Sequence, residues 1–214
     1  MAFEGLDPEL NDMKIMTRPL RQEVAYLRAP PGSDPALAED GFAVPAMLDI
    51  DTGVYMRPEV GGKILIGSVE PECDFPLEFV EDPDTGNPSL TDSHTNYAYR
   101  AALRMPGLAL PSAADTQGVV AYYDVTEDWV PIYDRSLIPG YFMAIGTSGN
   151  QFKNAGVAGN LMAEIIVRCE DDPSYDHDAE PLQLPLEKSG CGTLDSGKFS
   201  RRRLVLDTSQ SVLG

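Results

Sequence analysis

Apolar positions fall into short, partly alternating runs over the first third of the chain and into helical patterns later. TRPLRQEVAYL alternates in part and carries Val and Tyr, which predicts a strand near Arg18 to Leu27. APPGSDPALAEDG, rich in Pro, Gly and acids, reads as a loop. Beyond it, AVPAMLDI, DTG, VYMRP, EVGG and KILIGSVE read as strand, turn, strand, turn, strand. Glycine in both turns accepts the positive φ that tight hairpins demand. The pattern predicts a meander of antiparallel strands.

PLEFVEDPDTGNP is a second loop, followed by a helix that Thr91 or Ser93 could cap. Tyr97, Ala98, Ala101 and Leu103 give that helix an apolar side. It should stop at Met105, since Pro106 disfavours helical geometry in the residue before it. TQGVVAYYDVTEDWVPIY predicts a strand and then an irregular stretch. GYFMAIG is the next strand, and a last helix runs from about Gly149 to Arg168. From Glu170 the chain turns acidic and proline-containing, which reads as loop with at most a short strand at Arg203–Leu206. There is no internal repeat.

Composition removes several function classes. Lys and Arg total 16 against 34 Asp and Glu, a net charge of −18, so a role that neutralises nucleic-acid phosphates is disfavoured. The basic run Arg201-Arg202-Arg203 could be a phosphate patch, but is expected to be a solvated tail segment. Cys73, Cys169 and Cys191 form no CxxC pair and the only histidines are His94 and His177, which argues against zinc. Unpaired thiols suit a reducing cytoplasm. No apolar run approaches the roughly 20 residues of a membrane span, and MAFEGLDPEL lacks the pattern of a secretory signal.

The chemistry-bearing stretch is GTSGNQFKNAGVAG, residues 146 to 159, between the apolar runs YFMAI and LMAEIIV. A helix starting after Ser148-Gly149 would present unpaired N–H groups and a dipole that favours negative charge. Gly146 and Gly149 would let a ligand approach the backbone, and Gly156, Gly159 and Ala163 share one helical face. The alternative is that these glycines merely end a strand and let a helix pack. Neither GxGxxG nor GxxxxGK[ST] occurs in the chain.

RQEV, DIDTGVYMRP, GGKILIGS, YYDVTEDWVPI and PGYFMAIGTSGNQFKNAGVAGNLMAEII occur in one order. Together they resemble the C-terminal half of the flavin-dependent D-amino-acid oxidase family, over roughly residues 15 to 168, with the sarcosine oxidase and dimethylglycine dehydrogenase branch as the nearest likeness. The most specific element is G-x-S-G-x-x-F-K: Gly146, Ser148, Gly149, Phe152 and Lys153. The resemblance implies FAD as cofactor, with Gly146, Thr147, Ser148, Gly149, Asn150, Gln151 and Phe152 against its pyrimidine edge. There, donors would face the charge that develops on reduction. It implies that Lys153 binds a substrate carboxylate and that Tyr55 and Tyr123 border the substrate cavity. A solvent-facing lysine and core tyrosines are the plain alternatives. Tyr122 and Tyr123 alternate across their strand, so only one can face that cavity. Asp128 and Pro131 match a T-x-D-x-x-P turn that shapes structure rather than carrying chemistry.

Three departures qualify this. Asn150-Gln151 stands where the family has His-Gly. Leu65 stands where sarcosine-type oxidases carry an oxygen-activating lysine, with Lys63 two residues earlier, which implies a dehydrogenase rather than an oxidase. The βαβ unit with GxGxxG is absent, so FAD binding by this chain alone is expected to be weak or absent. The expected fold is α+β: a mixed, largely antiparallel substrate-domain sheet with a flanking helix over 1–140. To it would be joined a strand-helix remnant of a Rossmann-like FAD-binding domain over 141–169, and an acidic irregular tail over 170–214. The expected activity is oxidation of a C–N bond in an amino acid or N-methylated amino acid such as sarcosine or dimethylglycine, with no catalytic base from this segment. A second chain could supply the FAD-binding half. The alternative is a non-catalytic binding or assembly subunit.

Overall fold

The computed structural model describes residues 10–31, 46–112, 117–186 and 192–212. The chain divides into two compact units, 19–122 and a second made of 1–18 with 123–214. The division falls inside two strands, β1 (Thr17–Arg28) and β5 (Gly118–Thr126).

In unit 19–122 the expected meander forms. The five-stranded sheet runs β2-β3-β4-β1-β5, with β2 at Met47–Asp49, β3 at Val54–Glu59 and β4 at Lys63–Ser68. The β2–β3, β3–β4 and β1–β4 ladders are antiparallel. Gly53, Gly61 and Gly62 turn the chain at positive φ, as the turn residues required. Of the predicted AVPAMLDI strand, residues 43–45 lie outside the described residues. Helix α1 (Asp92–Ala102) is capped by Thr91, whose hydroxyl accepts from Ser93 N–H. Tyr97, Ala98 and Ala101 from α1 join Ala25, Leu27, Val54, Met56, Ile64 and Ile66 of the sheet in one apolar core. Leu103, expected on that apolar side, instead follows the last helical residue and is exposed. N–H groups of Arg104 and Met105 still donate to Ala101, so the turning ends where Pro106 dictates.

The other unit holds β6 (Ile132–Arg135) paired antiparallel with β7 (Phe142–Ile145). Helix α2 (Ala155–Asp171) follows a 3-10 turn at Phe152–Asn154, so it opens several residues later than expected and runs to Asp171. Leu161 and Ile165 of α2 pack on Tyr133 and Leu184, with Phe142, Met162 and Phe199 around them. The chain after Glu170 is not an irregular tail. It forms a hairpin of β8 (Gln183–Pro185) and β9 (Thr193–Asp195), and no strand forms at Arg203–Leu206.

The solvated reading of the arginine run is overturned as well. Arg201 is wholly buried: its guanidinium donates to Asp12, Asp134 and Asp178, with Nη2–Oδ2 distances of 2.7 Å to Asp12 and 2.9 Å to Asp178. Arg203 is buried against Asp128, and Arg202 alone faces solvent. Charge-run rules assume a featureless tail, whereas these arginines meet carboxylates contributed from distant parts of the sequence.

Candidate functional site

The glycine turn is built around Asp124, an acid in the otherwise apolar-aromatic strand β5. Its carboxylate accepts from Gly146 N–H at 2.6 Å, Thr147 N–H at 3.1 Å and Thr147 Oγ1 at 2.5 Å. Its carbonyl accepts from Ser148 N–H at 3.2 Å. Ser148 is fully buried at φ +49 and its hydroxyl donates to Gly146 O at 3.2 Å. Thus the donors at 146–148, expected to point at a ligand, are satisfied within the protein. The sequence signal for this is an acid within a strand otherwise apolar and aromatic, two residues before β5 ends at Thr126.

Both glycines are required by packing. At Gly146 (φ +69) a Cβ would sit 2.5 Å from Thr126 Cγ2. At Gly149 (φ +73) it would sit 2.6 Å from Cδ2 and Cζ of Tyr123. The close approach allowed there is used by the protein's own side chains. Tyr123 therefore lays its ring on Gly149, and Tyr122, on the opposite strand face, has a buried hydroxyl with no partner among the described residues. The alternation along β5 holds.

What faces outward is the second half of the turn. Asn150 N–H donates to Thr147 O, and the side chains of Gln151 and Asn150 are linked to each other. Gln151 Oε1 accepts from Tyr133 Oη at 3.2 Å and from Asn154 Nδ2 at 2.9 Å. Phe152 is 98% exposed, Lys153 is exposed, and their N–H groups open the 3-10 turn without partners inside it. Beyond them Gly156 and Gly159 have open space where a Cβ would be, and Val157, Ile166 and Val167 are exposed. The small-residue face of α2 is bare among the described residues.

Tyr55 belongs to the other unit, where it pairs with Gly67 across β3–β4 and its ring covers that glycine. Leu65 is buried in the sheet, and Lys63 Nζ donates to Gln117 Oε1 at 2.8 Å. The same unit has a polar, partly open pocket of about 120 Å³ lined by Arg21, Glu23, Ser68, Glu70 and Asp74, among others. Burial pushes the Glu23 carboxyl up, but hydrogen bonds from Arg21 and Thr91 outweigh it and hold Glu23 below the usual range. Glu23 is thus a committed anion rather than a base in waiting. Among the described residues no cluster of His, Cys, Asp and Glu could hold a metal. No described helix is long and apolar enough to cross a membrane.

A family described as DAO, FAD dependent oxidoreductase, matches residues 3–165, a span that includes the meander, α1, the glycine turn and most of α2. The chain belongs to the FAD-dependent oxidoreductase family. Its fold is similar to that of the L-proline dehydrogenase from P. horikoshii, with a TM-score of 0.53 and 19% identity over 74% of this chain and 38% of that one. Fructosamine oxidase from Aspergillus fumigatus (Amadoriase II) aligns with a TM-score of 0.45 and 19% identity over 71% of this chain and 36% of that one. The chain thus spans well under half the length of either structure. No curated protein matches it.

Among the residues described here, fit to FAD is partial. Nothing resembles a cradle for a diphosphate: the loop donors at 146–148 are taken by Asp124, and the glycines are filled by Thr126 and Tyr123. The outward N–H groups and side chains at Gln151–Lys153 suit contact with one polar edge of a ring.

Proposed function

We propose that this chain is the substrate-side and ring-edge portion of an FAD-dependent enzyme that oxidises the C–N bond of an amino acid or N-methylated amino acid, sarcosine and dimethylglycine included. The observation that carries the reading is the family match, which runs unbroken across the glycine turn. The L-proline dehydrogenase of similar fold is named for an amino-acid substrate, which accords with it. When bound, FAD supplies the two-electron acceptor. This chain's residues would hold and orient what meets it: Asn150, Gln151 and Phe152 at the ring edge, with Gly146, Thr147, Ser148 and Gly149 shaping the turn behind them. Lys153 would bind the substrate carboxylate, and Tyr55 and Tyr123 would wall the substrate.

A dehydrogenase is favoured over an oxidase, because Leu65 is apolar and buried and Lys63 is occupied by Gln117. Residues 1–140 would be the substrate-binding part, and residues 141–169, which carry β7 and most of α2, the piece of the nucleotide-binding part. The bare face of α2 and the absence of GxGxxG support a second polypeptide or segment that supplies the rest; the cytoplasmic setting rests instead on the free thiols of Cys73 and Cys169. The same two features favour one other reading, a non-catalytic binding or assembly subunit.

A visible difference spectrum with excess FAD separates the two. Weak perturbation of the flavin bands is expected, and it should survive Lys153→Ala while binding of carboxylate substrates falls. Bands that stay unperturbed at the highest FAD concentration would favour the binding or assembly subunit over the enzyme. Equal loss of flavin and substrate in the Lys153→Ala protein would sink the role given to that lysine.

A further inference from the structure

The end of the chain folds back onto the turn that supports the glycine loop. Asp128, fully buried after β5, accepts from Thr126 Oγ1 and Val130 N–H, each at 3.1 Å. Its remaining donors come from far along the sequence. Arg203 donates through Nε at 2.9 Å and Nη2 at 2.7 Å, and Leu206 N–H donates at 3.2 Å. The same guanidinium reaches the carbonyls of Val130 at 2.6 Å and Pro131 at 3.3 Å, and Thr208 Oγ1 donates to Asp128 O at 2.7 Å. Between these anchors Trp129 is buried at φ +59. A bulky residue in the left-handed region persists only where its surroundings over-determine it. A guanidinium fork bound to both Asp128 oxygens and two flanking carbonyls does this, and a lysine's single ammonium would do so only in part.

From that turn the constraint reaches the glycine loop through one strand end. Thr126 donates to Asp128 and to Val130 O, while its methyl group occupies the space at Gly146. Two residues earlier, Asp124 holds the N–H groups of Gly146 and Thr147. We propose that Arg203 is a positioning residue: it locks the 126–131 turn and so sets the register in which Asp124 and Thr126 hold the turn at Gly146–Ser148. Arg203 lies outside the matched span 3–165, whereas Thr126 and Asp128, which it holds, lie within it. Only its consequence for a flavin edge rests on the proposed function; the mechanical link does not.

Amide hydrogen exchange on the intact chain tests it, comparing wild type with Arg203→Gln, Arg203→Lys and Arg202→Gln. Arg203→Gln should speed exchange at Gly146, Thr147 and Ser148 by about tenfold or more, leaving the buried strip of α2 at Leu161 and Ile165 unchanged. Arg203→Lys should recover part of that protection. Arg202→Gln, altering a half-exposed guanidinium of the same segment, should match wild type. Unchanged exchange at 146–148 in Arg203→Gln, or an equal rise through α2, overturns the proposal. The readout needs no flavin. Faster exchange in a chain that leaves FAD unperturbed would preserve the positioning role and count against the flavin reading, and the converse result would do the reverse.

Discussion

Gly149→Ala measures how tightly the glycine turn is committed to its own protein. Gly149 sits at φ +73, where an L-residue costs about 1–2 kcal/mol. Its new Cβ would lie 2.6 Å from two carbons of the Tyr123 ring, well inside contact distance. Overpacking of that kind costs roughly 1–3 kcal/mol, since the ring must move off the turn. The sum is about 2–5 kcal/mol, and only the second part depends on Tyr123. In a Tyr123→Leu background the cost should therefore fall towards the backbone share alone, a coupling of about 1–3 kcal/mol in a double-mutant cycle. Urea unfolding followed by Trp129, the single tryptophan and buried in the same unit, reports it directly. If Gly149→Ala costs the same in both backgrounds, the ring is not what excludes a side chain there. If it costs nothing in either, the turn is free to move and its glycines were available to a ligand after all.

Other perturbations probe the two units separately. Arg201→Met strips a buried guanidinium from Asp12, Asp134 and Asp178, and should cost about 3–5 kcal/mol by the Trp129 readout; under 1 kcal/mol would show that the carboxylates do not need it. Burial pushes Asp134 up, but His177 and the backbone N–H and guanidinium of Arg201 hold its carboxyl below the usual range; Asp128, through Arg203, and Asp178, through Arg201, are likewise lowered against burial. Lowered carboxyls stabilise the folded state above the unfolded pKa of about 4 and lose that contribution as pH falls through their folded values. Urea midpoints should accordingly be flat above roughly pH 5 and drop below pH 4, and a drop of the same size in Arg201→Met would mean these pairs are not its source. Thr91→Ala removes the α1 cap and the hydroxyl that donates to Glu23 Oε1 at 2.7 Å, so circular dichroism should show a loss of about 1–2 kcal/mol; an unaltered transition would count against that cap.

How legible these features were depends on the range of the interactions behind them. The meander and α1 were readable because alternation, turn glycines, Thr91 and Pro106 all act within a few residues. The late start of α2 was not. An N-terminus is set by where the preceding backbone stops being held, and Asp124, 22 residues before Gly146, does that holding. The arginine run failed for the same reason on a longer scale: Arg203 meets Asp128 across 75 residues and Arg201 meets Asp12 across 189. Local charge rules judge such residues by their neighbours in sequence, which here say only that the segment is polar. Cys191, whose thiol entered the cytoplasmic expectation, lies outside the described residues.

The glycine turn shows how one motif can serve two demands at once. Gly146 and Gly149 are fixed by Thr126 and Tyr123 whether or not anything binds, so their presence alone is no argument for a ligand. The outward stretch is different, because folding gains nothing visible from Phe152 at 98% exposure. Exposing a whole aromatic ring beside the bare glycine face of α2 is unfavourable in water unless something covers it. The inner half of the turn is therefore explained by the chain's own stability, and the outer half, Gln151 to Lys153, is where evidence of a bound ring or a partner should be sought. A substitution at Phe152 that left both stability and flavin response untouched would show that the outer half answers to neither demand.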